Sequence, residues 1–272
     1  LVLVDTHCHL NFDRFDEDRP LVLERAAAAG VRWVLNPAID LDTSRDILAL
    51  AKQHEMVYAA VGVHPNDADD LSRDWVEQLW SLAQHEKVVA VGEIGLDYYW
   101  DRTPIAVQKT IFQQQLDLAA ELGLPVIVHC REKTPQERNA MQDTLAILSA
   151  WQRHLKKYAL KLANRPGVLH AFSGDLQAAL EAISFEFMIG VAGPVTFKKA
   201  ETLQRVAAEI PESYLLIETD APFLTPHPHR GERNEPAYVR FVNQKIAGLR
   251  QSDTDQLGRI TTMNAERLFF GK

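Results

Sequence analysis

Leu1-Val2-Leu3-Val4-Asp5-Thr6-His7-Cys8-His9 is an apolar run that ends in two histidines. The run reads as a strand buried on both faces, as in a parallel sheet. In an open dinucleotide-binding sheet the first strand leads into a glycine-rich turn that admits a pyrophosphate. Here imidazoles occupy that place, which weakens the open-sheet alternative. Further along, similar short runs recur at Val31 to Asn36, Met56 to Gly62, Val88 to Gly92, Leu124 to His129, Gly167 to His170, Phe185 to Val191 and Leu215 to Glu218. Helical patterns lie between them at Leu21 to Ala29, Asp42 to His54, Trp75 to Gln84, Ile105 to Leu122, Pro135 to Leu162, Asp175 to Ile183 and Lys199 to Glu209. Eight strands alternating with helices in 272 residues predict a closed (β/α)8 TIM barrel.

Glycines and prolines punctuate this pattern. Gly30 and Gly123 fall where helices should stop. Thr134, Pro135 and Glu137 form a capping box that predicts a long helix after strand five, beginning at Pro135. Pro222, Pro226, Pro228 and Pro236 exclude regular structure from Ala221 to Pro236, which should form a loop over the top of the barrel. No repeat, linker or low-complexity tract interrupts residues 1–272, so one domain is expected.

Composition narrows the class. Hydrophobic residues make up 46% and charged residues 24%, an ordinary globular balance. No apolar run approaches the roughly 20 residues of a membrane span, and no basic segment with an apolar core opens the chain. Two cysteines, Cys8 and Cys130, are too few for a disulfide framework, so a cytoplasmic protein without a membrane or an obligate protein partner is expected. The net charge of −8 argues against strong nonspecific duplex binding, which comes largely from Lys and Arg neutralising phosphates. A nucleic acid held by a few local cations stays compatible with it.

Polar residues with metal-ligating chemistry collect at the strand ends. Two-residue spacing on an extended chain turns His7 and His9 to one face and Cys8 to the other. Glu93 follows strand four, His129 ends strand five, His170 ends strand six, Asp220 follows strand eight and His64 follows strand three. The C-terminal ends of barrel strands are where such enzymes build their sites. Four histidines and two carboxylates on one mouth would repel or go unsatisfied without a cation. Six ligands exceed what one catalytic zinc takes from protein, so two divalent cations sharing a carboxylate fit better. Mixed imidazole and carboxylate ligation suits zinc, manganese, iron or nickel, with magnesium less favoured.

The sequence resembles the TatD family of metal-dependent deoxyribonucleases, within the amidohydrolase-like barrels. The resemblance is carried by Asp5-Thr6-His7-Cys8-His9-Leu10, Gly62-Val63-His64-Pro65, Gly92-Glu93-Ile94-Gly95-Leu96-Asp97-Tyr98, Val128-His129-Cys130-Arg131-Glu132, His170-Ala171-Phe172-Ser173-Gly174, Glu218-Thr219-Asp220-Ala221-Pro222 and Arg230-Gly231-Glu232-Arg233-Asn234-Glu235-Pro236. Asn264-Ala265-Glu266-Arg267-Leu268-Phe269 extends it almost to the C-terminus. The resemblance implies that His7, His9, Glu93 and Asp220 hold one metal and that Glu93, His129 and His170 hold the second, with Glu93 bridging. It also implies cleavage of phosphodiester bonds in DNA, 3′ to 5′, on single strands or ends.

As a carboxylate touching both metal and water, Asp220 is expected to accept the water's proton, the alternative being ligation alone, and His64 to hydrogen-bond the substrate or complete the site, the alternative being a satisfied ring before Pro65. Arg131, Arg230 and Arg233, with Asn234, lie in loops over the mouth and are expected to clamp phosphate. The same metals would polarise a carbonyl equally well, so an amidohydrolase or esterase is the alternative enzyme class. A nonenzymatic binding module is the third.

Overall fold

The computed structural model describes every residue except 70, 101, 135, 159 and 272. Eight parallel strands follow chain order around one sheet: β1 (Leu3–Asp5), β2 (Val31–Pro37), β3 (Val57–Val61), β4 (Val88–Asp97), β5 (Val126–Arg131), β6 (Gly167–Leu169), β7 (Met188–Val191) and β8 (Leu215–Ile217). The tails of β8 and β1 close the ring. Thr6 N–H donates to the Ile217 carbonyl (3.3 Å), Asp220 N–H to His7 (2.9 Å) and His9 N–H to Ala221 (2.7 Å). The fully buried Asp5 carboxylate crosses the same seam, accepting from Thr219 N–H at 2.8 Å and from its hydroxyl at 2.5 Å.

The helices α1 (Arg19–Ala28), α2 (Leu41–Gln53), α3 (Trp75–Ala83), α4 (Ile105–Leu122), α5 (Asn139–Lys157), α6 (Leu176–Ser184), α7 (Glu201–Glu209) and α8 (Val239–Arg250) wrap the outside. A separate cluster fills the barrel itself, including Val4, Leu35, Ala60, Ile127, Val168, Met188 and Leu216. Ala265, Leu268 and Phe269 of α9 (Thr254–Phe270) join it. This last helix lies against the start of the strands: Asn264 donates to the Glu212 and Leu215 carbonyls, and Gly258 packs on the Val2 carbonyl. The base of the barrel is thereby plugged, and the opposite end, where the strands finish, is left for chemistry.

Beyond shifts of one to three residues at other ends, two boundaries differ markedly from the sequence reading, and the helices α8 and α9 lie outside the helical patterns read there. Strand β4 runs five residues beyond Gly92, pairing Gly95 with His129 and Asp97 with Arg131. Only glycine permits this, since a Cβ at position 95 would stand 2.0 Å from the His129 carbonyl oxygen. The register shifts between Val91 and Ile94, and such an irregularity re-aims the side chains within it. The helix after strand five does not start at the Thr134 box, of which Pro135 lies outside the described residues. It starts at Asn139 because the Glu132 carboxylate accepts the N–H groups of Ala140 (3.0 Å) and Met141 (2.9 Å). The long run also breaks: α5 ends at Lys157 and a separate 3-10 turn covers Lys161–Asn164. Ala221 to Glu235 carries no helix and only an isolated bridge between Ala221 and Cys8, as the prolines require.

Candidate metal centre

Glu93 sits at the middle of the mouth, almost fully buried, with its two oxygens turned to different neighbours. Its Oε1 lies 2.7 Å from both His129 Nδ1 and His170 Nε2. Its Oε2 lies 3.3 Å from His7 Nε2 and 3.6 Å from His9 Nε2. Asp220 Oδ1 completes the second side, 3.6 Å from His7 Nε2 and 3.5 Å from His9 Nε2. All six residues read from the strand ends therefore converge.

The donor set fits cations. His7 Nε2 and His9 Nε2 are 3.2 Å apart, and His129 Nδ1 and His170 Nε2 are 3.3 Å apart. Each close pair can share one proton at most, and two protonated rings would repel. A positive ion between nitrogens and carboxylate oxygens resolves this crowding. Charge on these residues is tuned by the same contacts. Burial opposes charge on Glu93, yet His170, His129 and His7 hold its carboxyl well below the ordinary range. Burial and the neighbouring His170 lower His7. Asp220 is also held low, its burial outweighed by His9 and His7. His64 Nε2 stands 3.7 Å from Glu93 Oε1, and burial together with His129 pushes this imidazole down to about 3. Its Nδ1 accepts from Asn66 N–H at 3.2 Å, so the neutral ring carries its proton on Nε2, facing the cluster.

Above the cluster opens a cavity of about 490 Å³, lined by His64, Arg131, Phe12, Trp100, Arg102 and Phe223 among others. Trp100 and Phe223 remain 46% and 44% exposed there, and Tyr99, 49% exposed, stands beside Trp100. The Arg131 guanidinium lies 4.1 Å over the Tyr99 ring. The other three residues expected to clamp phosphate do not line this cavity. Arg233 is forked onto Asp18, at 2.7 and 2.8 Å, and also donates to the Arg14 carbonyl at 2.6 Å. Arg230 is stacked 4.4 Å over Phe197. Asn234 is fully buried, donating to the carbonyls of Thr219 (2.9 Å) and Phe223 (2.6 Å). These residues fasten the Ala221 to Pro236 loop to the body. Spacing along the chain does not reveal that, because their partners are remote in sequence or are backbone atoms.

A family model described as TatD related DNase matches residues 4–270. The chain belongs to the TatD family. It is 41% identical over 268 residues to the uncharacterized metal-dependent hydrolase YabD of Bacillus subtilis, covering 98% of this chain and 99% of that one. It is 36% identical over 273 residues to the 3′-5′ ssDNA/RNA exonuclease TatD of Citrobacter rodentium, covering 98% and 97%. The crystal structure of YjjV, a TatD homolog from Escherichia coli, superposes with a TM-score of 0.84 at 35% identity over 98% of each chain. The protein is a metal-dependent hydrolase with a His, Glu and Asp cluster able to hold metal.

Around the TatD cluster stand carboxylates that the strand-end reading passed over. Asp97 Oδ2 lies 3.0 Å from His129 Nε2, which fixes the ring so that Nδ1 faces Glu93. The same carboxylate accepts from Asn66 Nδ2 (3.1 Å), Tyr99 N–H (2.9 Å) and Trp100 N–H (3.1 Å), tying the aromatic rim to a cluster histidine. Burial opposes its charge, but His129 and these backbone donors hold it down to about 2. Glu218, fully buried, accepts the Ala171 N–H and lies 3.7 Å from His170 Nδ1. Both carboxylates stand inside the quoted motifs, and their position next to ligands was the available signal. Among the described residues no helix is long and apolar enough to cross a membrane.

Proposed function

We propose that this protein is a two-metal 3′ to 5′ exonuclease acting on single-stranded DNA or on DNA ends. The observation that carries the reading is the mouth itself: a carboxylate between two imidazole groups, beneath a rim of exposed aromatic rings and guanidinium groups. Successive bases stack on aromatic faces and phosphates pair with guanidinium groups, whatever the sequence. A small neutral amide or lactone has no use for either. The relative named as an ssDNA/RNA exonuclease supports the same substrate class.

In this reading His7, His9, Glu93 and Asp220 hold one divalent cation, and Glu93, His129 and His170 hold the other. Zinc, manganese, iron and nickel suit the ligands better than magnesium. Bound cations supply a water acidified toward neutral pH and draw charge from the phosphoryl oxygen. Asp220, kept ionised beside His7 and His9, takes the proton of the attacking water and relays it to the departing 3′-oxygen. His64 donates from Nε2 to a non-bridging phosphate oxygen. Arg131 and Arg102 pair with phosphates of the strand, and Tyr99 and Trp100 stack its bases.

The test follows the stepwise shortening of a 5′-labelled oligonucleotide by metal-loaded protein, single-stranded and blunt duplex, at two salt concentrations. Arg131→Ala should raise KM for the oligonucleotide and flatten its salt dependence without changing metal content. Turnover of acyl substrates with no cleavage of DNA would replace this reading by an amidohydrolase or esterase.

A further inference from the structure

The metal cluster does not lie at the end of a cavity. It lies between two. His129, His170 and Asp220 line both the aromatic-rimmed cavity and a second chamber of about 480 Å³ under the loops that follow β5 to β8. A scissile phosphate has a nucleoside on either side, so a cluster with space on both flanks accommodates both halves of the substrate. The two flanks differ in chemistry. The second chamber is walled by Phe172, Pro194 and Leu203, shares Arg131 and Leu224 with the first, and carries Lys199 on its polar side. Its phenylalanine is buried rather than presented as a stacking platform. Its volume falls in the range of about 300–1,000 Å³ usual for small-molecule sites.

We infer that this chamber seats the sugar and base of the 3′-terminal nucleotide, while the rest of the strand leaves across Trp100 and Tyr99. The inference rests on the nuclease reading above and adds a place for each side of the cut. Apolar walls reward burial of any base by removing it from water. Arg131, Ser173, Lys199 and Thr202 also line the chamber and can meet a sugar hydroxyl, a phosphate or a base edge. The chamber thus rewards the presence of a terminal base.

The experiment compares a single-stranded oligonucleotide ending in an ordinary nucleotide with one ending in an abasic residue. It uses the parent protein and two variants of α7, Thr202→Trp and Leu203→Ala. Thr202 is exposed at the chamber wall, so an indole there narrows the space without entering the core. The parent should favour the terminal base about tenfold in kcat/KM, in line with the worth of one buried base. Thr202→Trp should cut kcat/KM for the ordinary oligonucleotide about tenfold and abolish the preference, while metal content and melting temperature stay at the parent values; bis(p-nitrophenyl) phosphate serves as the small diester for the parent. Leu203→Ala, which enlarges the chamber, should shrink the preference. A parent indifferent to the terminal base, or a preference intact in both variants, overturns the assignment while leaving the nuclease reading standing. So does loss of the preference in Trp100→Ala alone, which would put the terminal base on the other flank. A parent that hydrolyses the small diester but no oligonucleotide removes the nuclease reading and this inference with it.

Discussion

Asp220 is held at a backbone φ of +56°, the left-handed region that aspartate and asparagine tolerate better than other residues with side chains. Asp220→Asn therefore keeps the backbone and removes only the charge. We expect its melting temperature to stay near that of the parent and kcat to fall by about 10²-fold or more, the usual worth of a positioned base. A near-normal rate with full metal content would remove Asp220 from the proton transfer. The residues with ligand chemistry were readable in the sequence because each sits where a barrel strand finishes, an address that scattered polar residues do not share. Asp97 and Glu218 were not, since a carboxylate beside a histidine ring has the same spacing as one that merely follows a strand, and neither was Asp5, whose partner Thr219 is remote in sequence. The arginines show the converse: Arg131 faces the cavity and Arg233 faces Asp18, and no local pattern separates the two.

At the scale of elements, the alternation of apolar runs and helices specified all eight strands but not α8 and α9, and the largest boundary errors lie where tertiary contacts decide an end. Strand β4 continues because Gly95 lets it stay paired to β5, and α5 starts late because Glu132, just beyond β5, caps it. The loop beyond β8 was readable from its prolines, but not what holds it. Asn234 does so by donating to two carbonyls that bracket Asp220. Asn234→Ala leaves both oxygens without that donor, one of them in a buried setting, at a cost of about 2–3 kcal/mol. Urea unfolding should show that loss, and kcat should fall with it as Asp220 loses its seat. Unchanged stability would mean that the loop is held elsewhere, by the Arg233 and Asp18 fork or by Arg25 and Glu235.

Taken as a whole molecule, the barrel gathers four imidazoles and two carboxylates from five separate stretches of chain, so cation binding should be felt throughout the fold. Purified protein is expected to carry one to two equivalents of divalent metal. Chelation should abolish turnover reversibly and lower the melting temperature, because an ion that binds only the folded state stabilises it. Full activity in metal-free protein would remove the mechanism proposed for this site.

The helix that plugs the base of the barrel separates two kinds of demand on the sequence. Leu268 is fully buried there, at the far end from the mouth, and Leu268→Ala should cost about 2–5 kcal/mol while the surviving folded molecules keep their metal and their rate. Tyr99, Trp100, Phe223 and Leu224 are exposed at the mouth and carry little of the core. Substrate preference can therefore drift at one pole while foldability is guarded at the other. A library randomised at those four rim positions should yield soluble, metal-loaded protein far more often than one of equal size randomised at Ala265, Leu268 and Phe269, and new specificities should be sought in the first.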